Sequence, residues 1–263
     1  MSTALPQEMQ QHTYAIMDEV EGSHWWFVGR RAILESFLKT IATKLAGAES
    51  KAEPPASAGG FKILDIGCGT GANLEMLSQF GEAEGVDVSD DALEFCRLKG
   101  LQAQKGLAET LPFDDETFDL TTALDVVEHL DDDISGLKEM HRVTKKGGYS
   151  LIFVPAYMFL WGVQDDVSNH RIRYTKRQIV KRLQAVGYTI ERATYANWTF
   201  FTPILTGRIF MRITGIKPES ENNVNISALN GVFGKLFGAE RFWLKNFNFP
   251  FGVSIVVVAR KDG

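Results

Sequence analysis

The sequence predicts an α/β fold built on a largely parallel sheet, and three observations lead to this prediction. The stretch from Phe61 to Ile66 has the apolar composition of a strand buried on both faces. The glycine-rich residues GCGTG follow it directly, and a helical pattern begins at Ala72. A second strand pattern, 83–88, carries the acidic Asp87. A strand that breaks into glycines and restarts as a helix is typical of nucleotide-binding units, because glycines let the backbone approach a ligand.

The bulk composition is that of an ordinary globular protein. The chain has 263 residues, 44% of them hydrophobic, and a net charge of −5, so no general nucleic-acid-binding surface is predicted. Cys68 and Cys96 do not have the spacing of metal ligands, and no metal site is predicted. We expect no structural disulfide and, because the N-terminus lacks a signal-peptide pattern, a cytoplasmic location.

The order of residues around the glycines separates two kinds of nucleotide site. A dinucleotide site has the pattern G-x-G-x-x-G, whereas this chain has Asp65, Gly67, Gly69 and Gly71 at two-residue spacing. An acid at the strand end repels phosphate and suits a cationic ligand. The pattern resembles motif I of the class I S-adenosylmethionine (SAM)-dependent methyltransferases. This resemblance implies SAM as cofactor and S-adenosylhomocysteine as product, with Asp65 near the methionine end and the glycines and Cys68 against the ribose and carboxylate.

Asp87 lies about 20 residues after the glycine loop, where an acid can accept both hydroxyls of a ribose. We expect Asp87 and Val88 to contact the cofactor. The alternative role, capping the helix that begins near Asp90, is better filled by Ser89 or by Asp90 itself.

The next segment, AETLPFDDETFD, resembles the loop and fourth strand of the type 11 methyltransferase subgroup. In that subgroup an Asp that receives the adenine amine often precedes Ala-Glu, but here the position is Leu107. We therefore expect adenine to contact backbone groups near Ala108 and apolar side chains. Glu109 is adjacent and is expected to face solvent.

The segment DVVEHL matches the motif that follows the fourth strand in the same family. Strand ends line the ligand site in open α/β sheets, so Leu124 and Asp125 are predicted to line the pocket. His129 is interpreted either as a structural residue or as a catalytic one. The resemblance covers residues 61–156 in detail. It implies a Rossmann-like seven-stranded sheet of order 3-2-1-4-5-7-6, whose last strand, starting at Phe251, is antiparallel.

An aromatic and basic segment, HWWFVGRR, precedes the core. It resembles the HWWF-x-GRR segment of a bacterial methyltransferase subgroup, which implies a lid in which Trp26 contacts the cofactor and Arg30, rather than Arg31, pairs with its carboxylate. The alternative is that the aromatic residues only pack the arm onto the core. An amphipathic helix is predicted for 31–46 and a linker for 47–60.

The acceptor side is predicted to begin after residue 156. His170 lies on a loop before a helix capped by Thr175, and we interpret it as a general base or as a histidine bonded to its loop. The expected acceptor-binding residues are polar or aromatic side chains of this region: Tyr157, Trp161, Arg171, Tyr174 and Trp198.

The segment 196–250 is an insert before the last strand, rich in aromatic residues and with helical patterns near 203–214 and 226–244. It is interpreted as a helical cap with its own core, a pocket for a lipid-like acceptor, a membrane-contacting surface, or a dimer interface. The predicted organisation is an N-terminal arm and linker (1–60), a SAM-binding core (61–195), this insert (196–250) and a final core strand (251–263).

The function predicted from these residues is methyl transfer from SAM to a small-molecule acceptor that is hydrophobic, lipid-linked or glycan-linked. One alternative is a SAM-binding regulatory or degenerate module without activity. A second alternative, an NAD-dependent oxidoreductase, is disfavoured by the glycine spacing and by the antiparallel last strand.

Overall fold

The computed structural model describes residues 11–49, 60–215 and 227–263 and centres on a seven-stranded sheet. The strand order is β3-β2-β1-β4-β5-β7-β6, and β7 runs antiparallel to β5 and β6. The Rossmann-like sheet expected from the resemblance is confirmed. The strands are β1 Phe61–Ile66, β2 Gly81–Asp87, β3 Ala103–Lys105, β4 Phe118–Leu124, β5 Thr144–Pro155, β6 Tyr188–Ala196 and β7 Ser254–Lys261.

Helices flank the sheet and extend beyond its carboxyl edge. They are α1 Gln11–Glu21, α2 Trp25–Glu49, α3 Ala72–Leu77, α4 Asp90–Leu98, α5 Asp133–Val143, α6 Val163–Val167, α7 Lys176–Ala185, α8 Phe201–Thr214, α9 Ser227–Gly238 and α10 Glu240–Leu244. Short 3₁₀ turns occupy Val127–His129 and Met158–Leu160. Ser89 caps α4 and Thr175 caps α7, which confirms both predicted caps. In the parts of the chain that are described, no helix is long and apolar enough to cross a bilayer.

The register of the parallel strands explains why the glycine loop and the later motifs meet. Ile66 pairs with Val86 of β2 and with Ala123 of β4. These three strands therefore end at one edge of the sheet, as the ends of adjacent parallel strands do. The residues that follow each strand emerge side by side at that edge.

The antiparallel strand β7 begins at Ser254, three residues later than the predicted start at Phe251. Phe251 instead packs outside the sheet, with its ring centroid 4.9 Å from that of Phe201. The strand prediction failed there because an apolar side chain satisfies the strand pattern whether it enters the sheet or a neighbouring cluster.

Helix α2 starts six residues before the predicted helix 31–46 and takes in the aromatic segment. Its Ile33, Leu34 and Leu38 are fully buried in the core. Trp25 lies with its ring centroid 6.0 Å from that of Phe237 on α9, so the arm and the insert pack on each other. Residues 50–59 of the predicted linker and Ile226 of the predicted insert helix lie outside the described residues.

Gly29 permits the close approach of α2 and α9. A Cβ at Gly29 would lie 2.5 Å from Cδ1 and 2.8 Å from Cβ of Phe237, which is itself fully buried. Gly47, in the same helix, has no atom within 4 Å of such a Cβ. The two glycines therefore differ in packing while sharing a helical backbone.

We predict that Gly29→Ala lowers the free energy of unfolding by about 1–3 kcal/mol, because overpacking outweighs alanine's better helix propensity. The matched control, Gly47→Ala, should be neutral or stabilising by up to about 1 kcal/mol. Urea unfolding of both variants measures the difference. Equal effects at the two positions would contradict the packing role of Gly29.

Candidate functional site

A cavity of about 750 Å³ lies at the carboxyl edge of the parallel strands. Its walls come from the strand ends, from α1 and α2 of the arm, and from α8 and α9 of the insert. This volume is within the usual range of roughly 300–1,000 Å³ for sites that bind small molecules or cofactors. The position is also the one where open α/β sheets bind ligands.

The glycine loop forms one wall of the cavity with its backbone. Gly67, Cys68 and Gly69 line the cavity, and Gly67 and Gly69 have φ angles of 68° and 54°. A Cβ at Gly67 would lie 2.4 Å from Cγ2 of Val126, so no larger side chain fits there. Gly71 does not line the cavity, and its φ of 92° serves the turn into α3.

Asp87 lies beside this loop at the end of β2. Its Oδ2 accepts a hydrogen bond from the Gly69 backbone N–H at 2.9 Å, and its Oδ1 accepts one from the Ser89 N–H at 3.0 Å. Asp87 and Val88 line the cavity. Because Ser89 caps α4, the carboxylate of Asp87 is not needed as a cap.

Asp65 is buried behind the glycine loop and is not among the residues that line the cavity. Its Oδ1 accepts a hydrogen bond from the Thr122 hydroxyl at 2.6 Å. Burial raises the pKa of Asp65 to about 7, although the Thr122 hydrogen bond and the charge of Arg30 lower it. The sequence analysis placed Asp65 near the methionine end of the cofactor, and in this structure its carboxyl group is bonded to Thr122 behind the cavity wall.

The arm contributes an acid that the sequence analysis did not identify. Glu21, at the end of α1, is buried, lines the cavity and accepts a hydrogen bond from the Thr70 hydroxyl. Burial raises the pKa of Glu21. No local pattern distinguishes Glu21 from the other acids of this polar helix, so only its position next to the loop reveals it.

Arg30 is 3% exposed and connects three elements around the cavity. Its Nε lies 2.9 Å from Oδ2 of Asp125, its Nη2 donates to the Leu124 carbonyl at 3.0 Å, and its Nη1 donates to Asn73 at 3.3 Å. The guanidinium also lies 5.1 Å from the ring centroid of Trp26. Arg31, the alternative arginine, donates to the Glu21 carbonyl and does not line the cavity.

The two histidines named from the sequence lie together in the wall of the cavity. Their ring centroids are 4.7 Å apart and both residues line the cavity. His170 is bonded through Nδ1 to Oδ1 of Asp165 at 2.7 Å, and its Nε2 lies 3.9 Å from Oε1 of Glu128. Burial lowers the pKa of His129 to about 3, so this ring is neutral at physiological pH.

Asp165 organises the charges behind His170 and was not among the predicted site residues. Its oxygens accept hydrogen bonds from Arg173 Nε at 2.8 Å and from the Gly162 N–H at 2.7 Å. Burial acts to raise the pKa of Asp165, but the His170 hydrogen bond and the charge of Arg173 lower it to about 2. The sequence signal that could have identified Asp165 was its position five residues before His170, the predicted base.

Only some of the residues predicted to lie near the adenine or at the end of β4 line the cavity. Ala108, Leu124 and Asp125 line the cavity. Asp125 directly follows β4 and has a φ angle of 61°. Leu107 is 48% exposed and does not line the cavity, and neither does Glu109.

The five residues predicted to bind the acceptor do not line the cavity. The Tyr174 hydroxyl donates to Asp133 at 2.7 Å, and the Arg171 Nε lies 3.0 Å from Asp131. Tyr157 stacks on Tyr195, Trp198 stacks on Phe249, and the Trp161 Nε1 donates to Asp166 at 2.9 Å. Each side chain packs or bonds within the surrounding structure, and none of the five belongs to the cavity wall.

The insert supplies the cavity's other wall instead. The apolar residues that it contributes come from the start and one side of α8 and from α9: Phe200, Pro203, Ile204, Gly207, Met211 and Phe233. Polar groups of the insert also line the cavity, from Asn197, Arg208 and Asn230. The sequence predicted an aromatic-rich insert but not which of its residues face the ligand, because the packing of α9 on α2 decides that.

Residues 64–152 match the family model described as a methyltransferase domain. A demethylmenaquinone methyltransferase from Staphylococcus epidermidis is 40% identical over 98 residues, which cover 34% of this chain and 41% of that relative. A ubiquinone biosynthesis O-methyltransferase from Alkalilimnicola ehrlichii is 35% identical over 98 residues, or 34% of this chain and 40% of that relative. The chain thus matches less than half the length of these curated relatives.

A solved structure with the same fold is a Haloferax volcanii methyltransferase in complex with the Trm112 methyltransferase activator. It has a TM-score of 0.62 and 16% sequence identity, and the match covers 99% of this chain and 100% of that one. At this identity the likeness shows the fold alone.

The raised pKa of Asp65 predicts a dependence of stability on pH. In the unfolded chain an Asp loses its proton near pH 4, whereas the folded carboxyl keeps it to about pH 7. The contribution of Asp65 to the free energy of unfolding is therefore full below about pH 4 and is lost as the pH rises through 7. Asp65→Asn should remove this loss, so that the variant gains a few kcal/mol relative to the unmodified chain between pH 4 and 8.

Urea unfolding at pH 4.5, 6 and 8 measures this difference. Asp114→Asn, which removes an exposed carboxyl, is the matched control and should leave the pH profile unchanged. Parallel pH profiles for Asp65→Asn and the unmodified chain would contradict the prediction.

Proposed function

The chain carries a class I SAM-dependent methyltransferase domain, and from this premise we propose that the whole protein methylates a hydrophobic small-molecule acceptor. A single observation supports the proposal: the glycine loop and Asp87 line the same cavity as the apolar residues of α8 and α9. Both a cofactor and an acceptor can therefore reach a common space at the carboxyl edge of the sheet.

The residues at the loop end fit SAM, which supplies a methyl group carried on a positively charged sulfur. The backbone of Gly67–Gly69 comes close to the cavity with no side chain in the way at either glycine. Asp87, at the cavity wall, is placed to accept the hydroxyls of a ribose, and two backbone N–H groups hold its carboxylate in position. Glu21 and Arg30 from the arm would face the charged amino-acid part. Ala108 and Leu130 would pack against the base.

The far end of the cavity fits an apolar acceptor that carries an oxygen or another nucleophile. Apolar residues of α8 and α9 line the cavity there together with polar side chains, among them His129 and His170. The buried Glu128 lies next to them, with its Oε1 3.9 Å from Nε2 of His170. We propose that Glu128, His129 and His170 position the acceptor's nucleophilic atom and promote the loss of its proton. The named relatives act in menaquinone and ubiquinone formation, which supports a lipid-like ring compound as the acceptor class.

We predict that Asp87→Ala weakens SAM binding by at least tenfold, because it removes the carboxylate that holds Gly69 and faces the ribose. His170→Ala should leave SAM affinity within about twofold and lower turnover at least tenfold, because His170 lies at the acceptor end. Isothermal titration with SAM measures the first effect, and methyl transfer from labelled SAM to a lipid extract measures the second.

Titration with NAD is the control for the nature of the cofactor. Tight NAD binding without SAM binding would overturn the proposed function. SAM binding without any labelled product would instead indicate a binding module that lacks activity. Mass spectrometry of a labelled product would identify the acceptor.

We further propose that α10 brings the protein to an anionic membrane surface, where a lipid-like acceptor is available. Phe242, Trp243 and Phe247, which we call the α10 patch, are 69%, 52% and 57% exposed. Arg241 lies 4.8 Å from the ring centroid of Phe242, and Lys245 is also exposed. Aromatic side chains interleaved with basic ones are typical of surfaces that bind at the lipid headgroup level. We also propose that the protein is cytoplasmic, as predicted from the sequence, and reaches the membrane from that side.

Flotation with vesicles of phosphatidylglycerol and phosphatidylcholine tests this surface. The unmodified protein should float with anionic vesicles, and Phe242→Ser combined with Trp243→Ser should reduce the bound fraction at least threefold. Leu98→Ser is the matched control, since Leu98 is 69% exposed but lies on α4. No binding to vesicles, together with a dimer in solution that the double variant abolishes, would make the α10 patch a dimer interface instead.

A further inference from the structure

Three potential metal ligands converge at the wall of the cavity, which His129 and His170 line and behind which Glu128 is buried. Glu128, His129 and His170 each offer one ligand atom, and these atoms all lie within 4.8 Å of one another. The Glu128 Oε1 and the His170 Nε2 are 3.9 Å apart. Two ligand atoms about 2.1 Å from one ion lie about 3.4 Å apart at a tetrahedral angle, so a small rotation of the side chains would bring them into place.

Buried polar atoms of these residues could serve as ligands of an ion. Glu128 is 0% exposed, and the side-chain neighbour of its carboxyl group is a second acid, Asp125. The His129 Nδ1 is buried without a hydrogen-bond partner among the described residues, while the ring contacts the Ser168 backbone. A buried carboxylate next to a second acid is costly unless a cation meets it.

The surroundings of His170 have the arrangement that orients metal-binding histidines. Its Nδ1 is held at 2.7 Å by Asp165, which is 1% exposed, so that Nε2 points to Glu128. Arg173 lies 2.8 Å from the same Asp165 oxygen, and Arg208 lies 3.8 Å from the other oxygen. These two cationic side chains are therefore engaged by Asp165. A carboxylate on the second ring nitrogen fixes the tautomer and increases the basicity of a ligating imidazole.

We propose that Glu128, His129 and His170 bind one divalent transition-metal ion at the wall of this cavity. Two imidazole nitrogens and one carboxylate oxygen suit Zn²⁺, Co²⁺ or Fe²⁺, whereas Mg²⁺ prefers an all-oxygen shell. No metal site was predicted from the sequence, where only the spacing of the two cysteines was considered, and this proposal departs from that prediction. His170 lies far along the chain from the Glu128–His129 pair, and only the fold brings them together.

The site also gives the proposed function a more specific chemistry. Three protein ligands leave coordination positions open toward the cavity, where a hydroxyl or carbonyl oxygen of the acceptor can bind. A hydroxyl bound to a divalent ion gives up its proton, here to water in the open cavity, at lower pH than a free one. This role rests on the proposed function, whereas binding of the ion does not.

Titration of untagged, chelator-treated full-length protein with Co²⁺ tests the site through the visible absorption of the bound ion. We expect one ion per chain for the unmodified protein, and at least a hundredfold weaker binding for Glu128→Gln and for His170→Ala. Asp165→Asn should weaken binding about 10–100-fold, since it removes the group that orients His170. His141→Ala is the matched control, because His141 packs against Tyr188 away from the cavity, and it should bind Co²⁺ like the unmodified protein.

Thermal unfolding and SAM titration of each variant establish that it is folded. Absence of Co²⁺ binding, or equal Co²⁺ affinity in Glu128→Gln, His141→Ala and the unmodified protein, would overturn the metal site. A different result would contradict the proposed function alone: the protein binds Co²⁺ as expected, but the Co²⁺-loaded protein neither binds SAM nor transfers a methyl group. Full methyl transfer by protein kept in excess chelator would overturn the ion's role in the reaction.

Discussion

The buried guanidinium of Arg30 connects the parts of the molecule that make the cavity. A charge taken out of water is costly unless charged or polar partners surround it, and Arg30 finds them on Asn73, Leu124 and Asp125. These partners belong to the helix after the glycine loop and to the end of β4, while Arg30 itself lies on α2. The position of α2 over the sheet is therefore tied to the site. Because α9 packs on α2 at Gly29, the wall of the insert depends on the same contacts.

The parts of the site that sequence reasoning identified carry strong local signals and lie at strand ends. The glycine loop, Asp87, Leu124 and Asp125 each follow or end a strand, and the parallel register brings them to one edge without further information. Similarly, Ser89 and Thr175 could be recognised as caps because capping depends on a few adjacent residues. The order of the sheet came from the family resemblance rather than from any single element.

The remaining features depend on side-chain directions that only the tertiary structure decides. Tyr174 looked like a pocket residue in a polar loop, but its hydroxyl is bonded to Asp133 in the interior. Glu21 looked like one of several acids on a polar helix, yet it reaches Thr70 at the loop. His129 and His170 were each identified alone, and nothing in their local sequence indicated that their rings would be 4.7 Å apart.

The position of β7 between β5 and β6 has a consequence for how the chain folds. A chain that has reached Ala196 contains β5 and β6 but not the strand that lies between them, because the whole insert comes first. Until β7 arrives, both strands expose unpaired edges, which favour association with other chains. Loop closure across the insert is also a non-local event of the kind that slows folding. The insert that shapes the acceptor wall thus also lengthens the period during which the nascent sheet is vulnerable to aggregation.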